Sequence, residues 1–118
     1  WIFALGCDMP DVHEAVARIL WLRRLYLEAP WREYEAVLAR IGGYLEPLHA
    51  FYRSSCRDVF QGLLAQGRRK IGDGFPEIAA AVVEEEDLSV IPGYRASFRN
   101  LNTSLQLAAW LRERRERE

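Results

Sequence analysis

The sequence has 118 residues, 50% of them hydrophobic, and its 16 basic and 17 acidic side chains give a formal net charge of −1. A chain of this length and balance is typical of one globular domain. The charge argues against nucleic acid as a partner, because phosphate binding usually needs a clearly basic face. Every apolar stretch is far shorter than the roughly 20 residues that span a bilayer. We therefore predict a single domain over residues 1–118 with no membrane span.

The composition also predicts a class of fold. Leu, Arg, Ala and Glu occur 15, 15, 14 and 12 times, and all four are among the strongest helix formers. No run of β-branched residues alternates for long enough to indicate a sheet. The sequence therefore predicts an all-α single-domain bundle of about five helices, in which four long helices form the core and no sheet is present.

Proline and glycine residues divide the chain into segments of helical length, and each segment carries apolar residues at spacings of three and four. Residues 1–9 precede the first segment as an apolar N-terminal arm. Gly42 and Gly43 are predicted to end the second helix. Thr103 and Gln106 have the spacing of a capping box inside the last segment. The predicted helices cover residues 10–28, 30–41, 47–66, 76–86 and 94–117.

Two further segments are defined by charge. Residues 67–75 contain three glycines beside Arg68, Arg69 and Lys70, which predicts a basic Gly-rich loop. Residues 112–118 place Arg and Glu four positions apart, which predicts a charged, exposed helix end whose charges offset one another. Most of the arginines therefore belong to solvated helix faces, and only Arg68 and Arg69 are concentrated on a loop.

The sequence offers little support for an enzyme. Glu46 and His49 have the spacing of half a di-metal site in a helical bundle, but His13 has no glutamate three residues before it to supply the other half. Cys56 lies on an apolar stripe, as a buried structural thiol does. Nucleophile-elbow, phosphate-loop and dinucleotide fingerprints are missing. We therefore predict no catalytic, cofactor-binding or metal-binding residues, no cofactor, and a non-enzymatic protein.

The 14 aromatic residues include four Trp and five Tyr, whose polar tips suit interfaces and ring-lined pockets. They favour a helical protein–protein interaction or regulatory module that docks on another protein or on a second copy of itself. A helical sensor that binds a small apolar ligand between its helices is the alternative. A secreted, cytokine-like bundle is the least favoured function. The predicted partner-binding residues are Trp21, Trp31, Tyr34, Arg68 and Arg69.

The two cysteines give the only indication of cellular location. Cys7 and Cys56 are too few to define a disulfide framework, so we predict reduced thiols and a cytoplasmic protein. A bridge between them would indicate secretion instead, and with it the cytokine-like role.

Overall fold

The computed structural model describes residues 1–24 and 34–117. Four strands form one mixed sheet in the spatial order β1-β3-β2-β4. β3 runs antiparallel to both of its neighbours, and β4 runs parallel to β2, so the carboxyl ends of β1, β2 and β4 point the same way. The all-α prediction is therefore wrong. The strands are β1 (Ile2–Leu5), β2 (Ala36–Ile41), β3 (Tyr44–Tyr52) and β4 (Ala80–Glu84).

Helices cover both faces of this sheet. On one face, Val16 and Leu20 of α1 are fully buried in a cluster that includes Val37 of β2. On the other face, Cys56 of α2 joins Leu38 in a second cluster. The structure is therefore a layered α/β arrangement with a core on each side of the sheet. The helices are α1 (Glu14–Arg23), α2 (Cys56–Ala65), α3 (Glu85–Leu88) and α4 (Ser104–Arg117), with 3-10 helices at Ile71–Glu77 and Tyr94–Phe98.

The predicted helix over residues 30–41 is replaced by β2 in its described part. Residues 36 to 39 are all fully buried, because β2 is covered on both faces. Such a strand shows no alternation of polar and apolar residues, and its apolar run resembles a helical stripe. Gly42 (φ +58°) and Gly43 (φ +84°) form the two-residue turn of a hairpin into β3 instead of ending a helix.

The predicted helix over residues 47–66 is also divided. β3 continues to Tyr52 before α2 begins at Cys56. Pro47 is tolerated in β3 because it lies where the pairing with β2 shifts register, between Glu46 and Phe51. A proline at a bulge removes no ladder hydrogen bond. Pro47, which was predicted to begin a helix, therefore lies at an irregularity of strand β3.

The predicted helix over residues 76–86 is wrong, and the predicted helix over residues 94–117 is shorter than expected. Residues 76–86 contain part of a 3-10 helix and then β4, while residues 94–103 form a 3-10 helix and an irregular segment before α4. The capping box at the start of α4 is confirmed. The Gln106 N–H donates to Thr103 Oγ1 at 3.1 Å, and the Thr103 N–H donates to Gln106 Oε1 at 3.2 Å.

The division of the chain into one domain over residues 1–118 stays a prediction, although its helical character is wrong. Within it, the N-terminal arm of residues 1–9 contains β1, and the basic loop of residues 67–75 contains the start of a 3-10 helix. Residues 112–117 of the charged helix end are exposed in α4. None of the described helices has both the length and the apolar character needed to cross a membrane.

Candidate functional site

A cleft of about 430 Å³ opens at the carboxyl end of β1. One wall is the turn that follows the strand, and the other is the segment that leads into α4. Open α/β sheets bind their ligands in such crevices, outside the carboxyl ends of strands. The residues that line the cleft include Cys7, Asp8, Leu101, Asn102, Thr103 and Trp110.

The first wall depends on a glycine. The Gly6 N–H donates to the Leu48 carbonyl at 3.1 Å, which extends the pairing of β1 with β3 by one residue. A Cβ atom on Gly6 would lie 2.9 Å from Asp8 Oδ1 and 3.2 Å from Met9 Sδ. A side chain at position 6 would therefore have to move the Asp8 carboxylate, which lies folded back over the strand end.

The second wall lies alongside the first in an antiparallel direction. Three contacts join residues 97–101 to residues 8–13, and they include a backbone hydrogen bond, an ion pair and a backbone-to-hydroxyl hydrogen bond. Because Leu101 is hydrogen-bonded to Asp8, the next residue, Asn102, lies at the cleft with its side chain exposed. The contacts are the Leu101 N–H to the Asp8 carbonyl at 2.7 Å, Arg99 Nη2 to Asp11 Oδ2 at 3.7 Å, and the His13 N–H to Ser97 Oγ at 2.8 Å.

Polar contacts also hold α4 against this site. The Trp110 indole N–H donates to Asp11 Oδ2 at 2.9 Å, and Arg99 pairs with Glu113 at 3.2 Å. Beyond Trp110 lies a second, open cleft of about 620 Å³, whose lining includes His13 and Arg117. Trp110 therefore separates an amide- and carboxylate-lined cleft from a more basic one.

The cleft carries oxygen-bearing side chains that can contribute ligands to a divalent cation. Mg²⁺ prefers oxygen ligands and is often held by one or two carboxylates together with substrate phosphates. Asp8 is half-buried in the cleft and Asn102 adds an amide oxygen. Within residues 1–24 and 34–117, no group of three or more His, Cys, Asp or Glu side chains could hold a metal by itself. The donor set therefore fits a cation that arrives with a phosphate-bearing substrate.

The structure does not bring the predicted partner-binding residues together. Trp21 of α1 is half-buried, with its ring 6.2 Å from that of Trp1. Tyr34 packs against the same core as α1, whereas Arg68 and Arg69 are exposed after α2, on the opposite face of the sheet. Trp31 lies outside the described residues. Their role in binding stays a prediction.

The cleft residues were missed because their signals were interpreted as helix signals. Asp8 belonged to the predicted N-terminal arm of residues 1–9, and Asn102 to the predicted helix over residues 94–117. The useful signal is an apolar stretch, residues 1–5, followed at once by Gly6 and Asp8. That pattern is typical of a strand that ends at a ligand-binding turn.

A mixed sheet with helices on both faces and a polar cleft at a strand's carboxyl end defines an α/β domain. No protein-family model matches the sequence. A probable molybdenum cofactor guanylyltransferase of Pelotomaculum thermopropionicum is 28% identical over 87% of this chain and 47% of its own length. The molybdenum cofactor guanylyltransferase of Syntrophotalea carbinolica is 26% identical over 96% of this chain and 51% of its own length.

A solved structure shows a similarity to the same group of proteins. The crystal structure of molybdopterin-guanine dinucleotide biosynthesis protein A from Archaeoglobus fulgidus superposes with a TM-score of 0.75 and 26% identity, over 91% of this chain and 52% of that one. The chain therefore spans about half the length of the relatives that it matches.

These similarities overturn the functional prediction. A non-enzymatic helical interaction or regulatory module is wrong, and so are the sensor bundle and the cytokine-like bundle, because the similar proteins are α/β enzymes. A protein partner or a second copy gains no support, whereas a small-molecule ligand agrees with the relatives' names. Cys7 is an exposed free thiol and Cys56 a buried one, so the disulfide alternative is not supported.

Proposed function

We propose that this chain takes part in transferring a guanylyl group to the molybdenum cofactor, and that the cleft at the end of β1 binds the reacting phosphates. The supporting observation is the similarity to guanylyltransferases over 87% to 96% of the chain. Because the chain matches only about half of those enzymes, residues beyond this half are expected to share in binding.

The proposed reaction is a nucleotidyl transfer. A phosphate oxygen of the molybdenum cofactor attacks the α-phosphorus of GTP, a new P–O–P bond forms, and the bond between the α- and β-phosphates breaks to release pyrophosphate. The protein's contribution to such a transfer is mainly to position the phosphates and to offset their charge. A Mg²⁺ ion bound with the nucleotide would offset part of the negative charge of the phosphates.

Each wall of the cleft has a part in this scheme. The Asp8 carboxylate, which lies folded back over the strand end, would hold the cation. Asn102 offers amide hydrogens to phosphate oxygens from the facing wall, near the N-terminus of the 14-residue helix α4. That helix end favours negative charge. Trp110 presents a ring between the two clefts, on which a planar base or pterin can stack.

The test is a chimera in which this chain replaces the matching 103-residue stretch of the Pelotomaculum thermopropionicum relative. We expect the folded chimera to form a guanine dinucleotide and pyrophosphate from GTP and molybdopterin, and to discriminate against ATP. In the same chimera, Asp8→Asn should lower kcat by about 100-fold. Asp58→Asn, on the exposed side of α2, is the matched control and should leave kcat unchanged.

Three results would count against the proposal. A folded chimera without product contradicts guanylyl transfer by this chain, and equal use of ATP contradicts the guanine specificity. Full activity in the Asp8→Asn chimera contradicts the assignment of the cleft.

A biosynthetic enzyme with two free thiols also fits the predicted cytoplasmic location, which fractionation of the source cells tests.

A further inference from the structure

A polar pair lies inside the apolar core, close to the cleft. His49 of β3 and Ser97 are both fully buried, and His49 Nε2 lies 2.7 Å from Ser97 Oγ. The imidazole stacks on the Phe98 ring at 4.5 Å and meets the edge of Phe3 at 5.3 Å. An apolar ring would fill this space without burying polar atoms, so the hydrogen bond requires an explanation beyond packing.

The hydrogen bonds of this pair are compatible with an uncharged imidazole. Ser97 Oγ accepts the His13 N–H at 2.8 Å, and its own hydrogen is free to be donated to His49 Nε2. Burial lowers the pKa of His49 to about 4, so the ring is neutral at pH 7. The neutral ring carries one proton, and the contact with Ser97 Oγ allows it on either ring nitrogen, because a hydroxyl can both donate and accept. The pair therefore forms an uncharged polar contact inside the apolar core.

The pair connects both walls of the cleft to one strand. His49 is the partner of Leu5 in the sheet, and the next residue of the first wall, Gly6, bonds to Leu48. Ser97 begins the segment that runs along residues 8–13 and ends at the bond between Leu101 and Asp8. Through Ser97, His49 therefore holds the second wall in register with the first.

We propose that His49 and Ser97 are positioning residues that set the spacing of Asp8 and Asn102 across the cleft. This inference rests on the proposed function, because the spacing matters for catalysis only if the cleft holds reacting phosphates. A two-substrate transfer depends on the alignment of its reacting atoms, and a displacement of about 1 Å can cost 100-fold in rate. Loss of the pair should therefore lower kcat with little change in KM.

The first experiment measures the spacing without catalysis. In the 118-residue chain, His49→Phe keeps the stacked ring and removes the hydrogen bond, whereas His49→Gln keeps a hydrogen-bonding atom near the position of Nε2. We expect His49→Phe to speed amide hydrogen exchange at Leu101 and His13 by about 10-fold, with the core amides of β2 unchanged. His49→Gln should restore slow exchange. Unchanged exchange in His49→Phe overturns the inference.

The second experiment uses the active chimera. We expect His49→Phe and Ser97→Ala each to lower kcat by roughly 10- to 100-fold at a constant KM for GTP, and the double variant to be no worse than either single one. His49→Gln should recover kcat to within about threefold. Loss of activity that follows the melting temperature and is not rescued by Gln indicates a structural role only, and overturns the inference. An inactive parent chimera contradicts the proposed function, while the exchange result still decides whether His49 joins the walls.

Discussion

Lowering the pH from 7.5 to 5.0 should destabilise the folded chain by about 2 kcal/mol through His49 alone. Burial lowers the pKa of this imidazole from 6.5 to about 4. Its ring contacts Ser97, Phe3 and Phe98, and none of these side chains carries a charge that would stabilise an imidazolium. The unfolded chain therefore takes up the proton at a higher pH than the folded chain does.

The direction and size of the effect follow from that difference. Because the folded pKa is the lower one, the contribution of His49 to stability is fully present above pH 6.5 and is lost as the pH falls toward 4. One pKa unit corresponds to about 1.36 kcal/mol, so the loss is about 2 kcal/mol at pH 5 and approaches about 3 kcal/mol at pH 4. Burial raises the pKa of Glu46, which has the opposite effect on stability as the pH falls.

The assay compares the wild-type chain with His49→Gln, which cannot titrate at this position. Urea unfolding followed by tryptophan fluorescence gives the free energy of unfolding of both proteins at pH 7.5 and 5.0. Glu46 and the other titrating groups contribute equally to both proteins and cancel in the comparison. We expect the wild type to lose about 2 kcal/mol more than the variant. Equal losses would refute the neutral, buried state of His49.

Three further predictions concern backbone and packing. Gly6→Ala should displace the Asp8 carboxylate, because the added Cβ would lie 2.9 Å from Asp8 Oδ1. This change should lower kcat of the chimera by at least about 10-fold. A kcat equal to that of the parent chimera would contradict this prediction. Gly43→Ala should destabilise the chain by about 1 kcal/mol because φ at this position is +84°. Gly62→Ala, inside α2, should instead stabilise the chain by about 0.5–1 kcal/mol. If urea unfolding finds the Gly43→Ala variant more stable than the Gly62→Ala variant, the hairpin turn is contradicted. Leu20→Ala should cost about 2–5 kcal/mol in the same assay, since Leu20 is fully buried, and a loss under about 1 kcal/mol would contradict its place in the core.

The helices were the more predictable part of the fold. The core of the first predicted helix became α1, and the capping box of Thr103 and Gln106 correctly placed a helix start. Both depend on interactions within a few residues, which a sequence pattern contains. The strands depend on partners far along the chain. β2 is covered on both faces, and the alanines of β2 and β4, such as Ala36 and Ala81, favour helices when they are counted without their strand neighbours.

The cleft was unpredictable for the same reason. Asp8 and Asn102 are neighbours only because β1 pairs with β3 and because residues 97–101 return alongside the turn after β1. Asp8 has a local signal, since it follows an apolar stretch and Gly6, but that signal does not indicate Asn102 as its neighbour. His49 was noted for its spacing from Glu46 on a supposed helix, whereas in β3 its importance comes from Ser97, which is 48 residues away.

The open side of β1 has a consequence for the cleft. Within the described chain, β1 is an edge strand with β3 as its one neighbour, and Ile2 and Leu5 remain 63% and 43% exposed. An edge without charge or proline readily accepts another strand. Because the cleft lies at the end of that same strand, an additional strand from any source would place one of its own ends beside Asp8. Such a strand would add a third wall to the cleft and would leave in place the contacts between the turn after β1 and the segment that leads into α4.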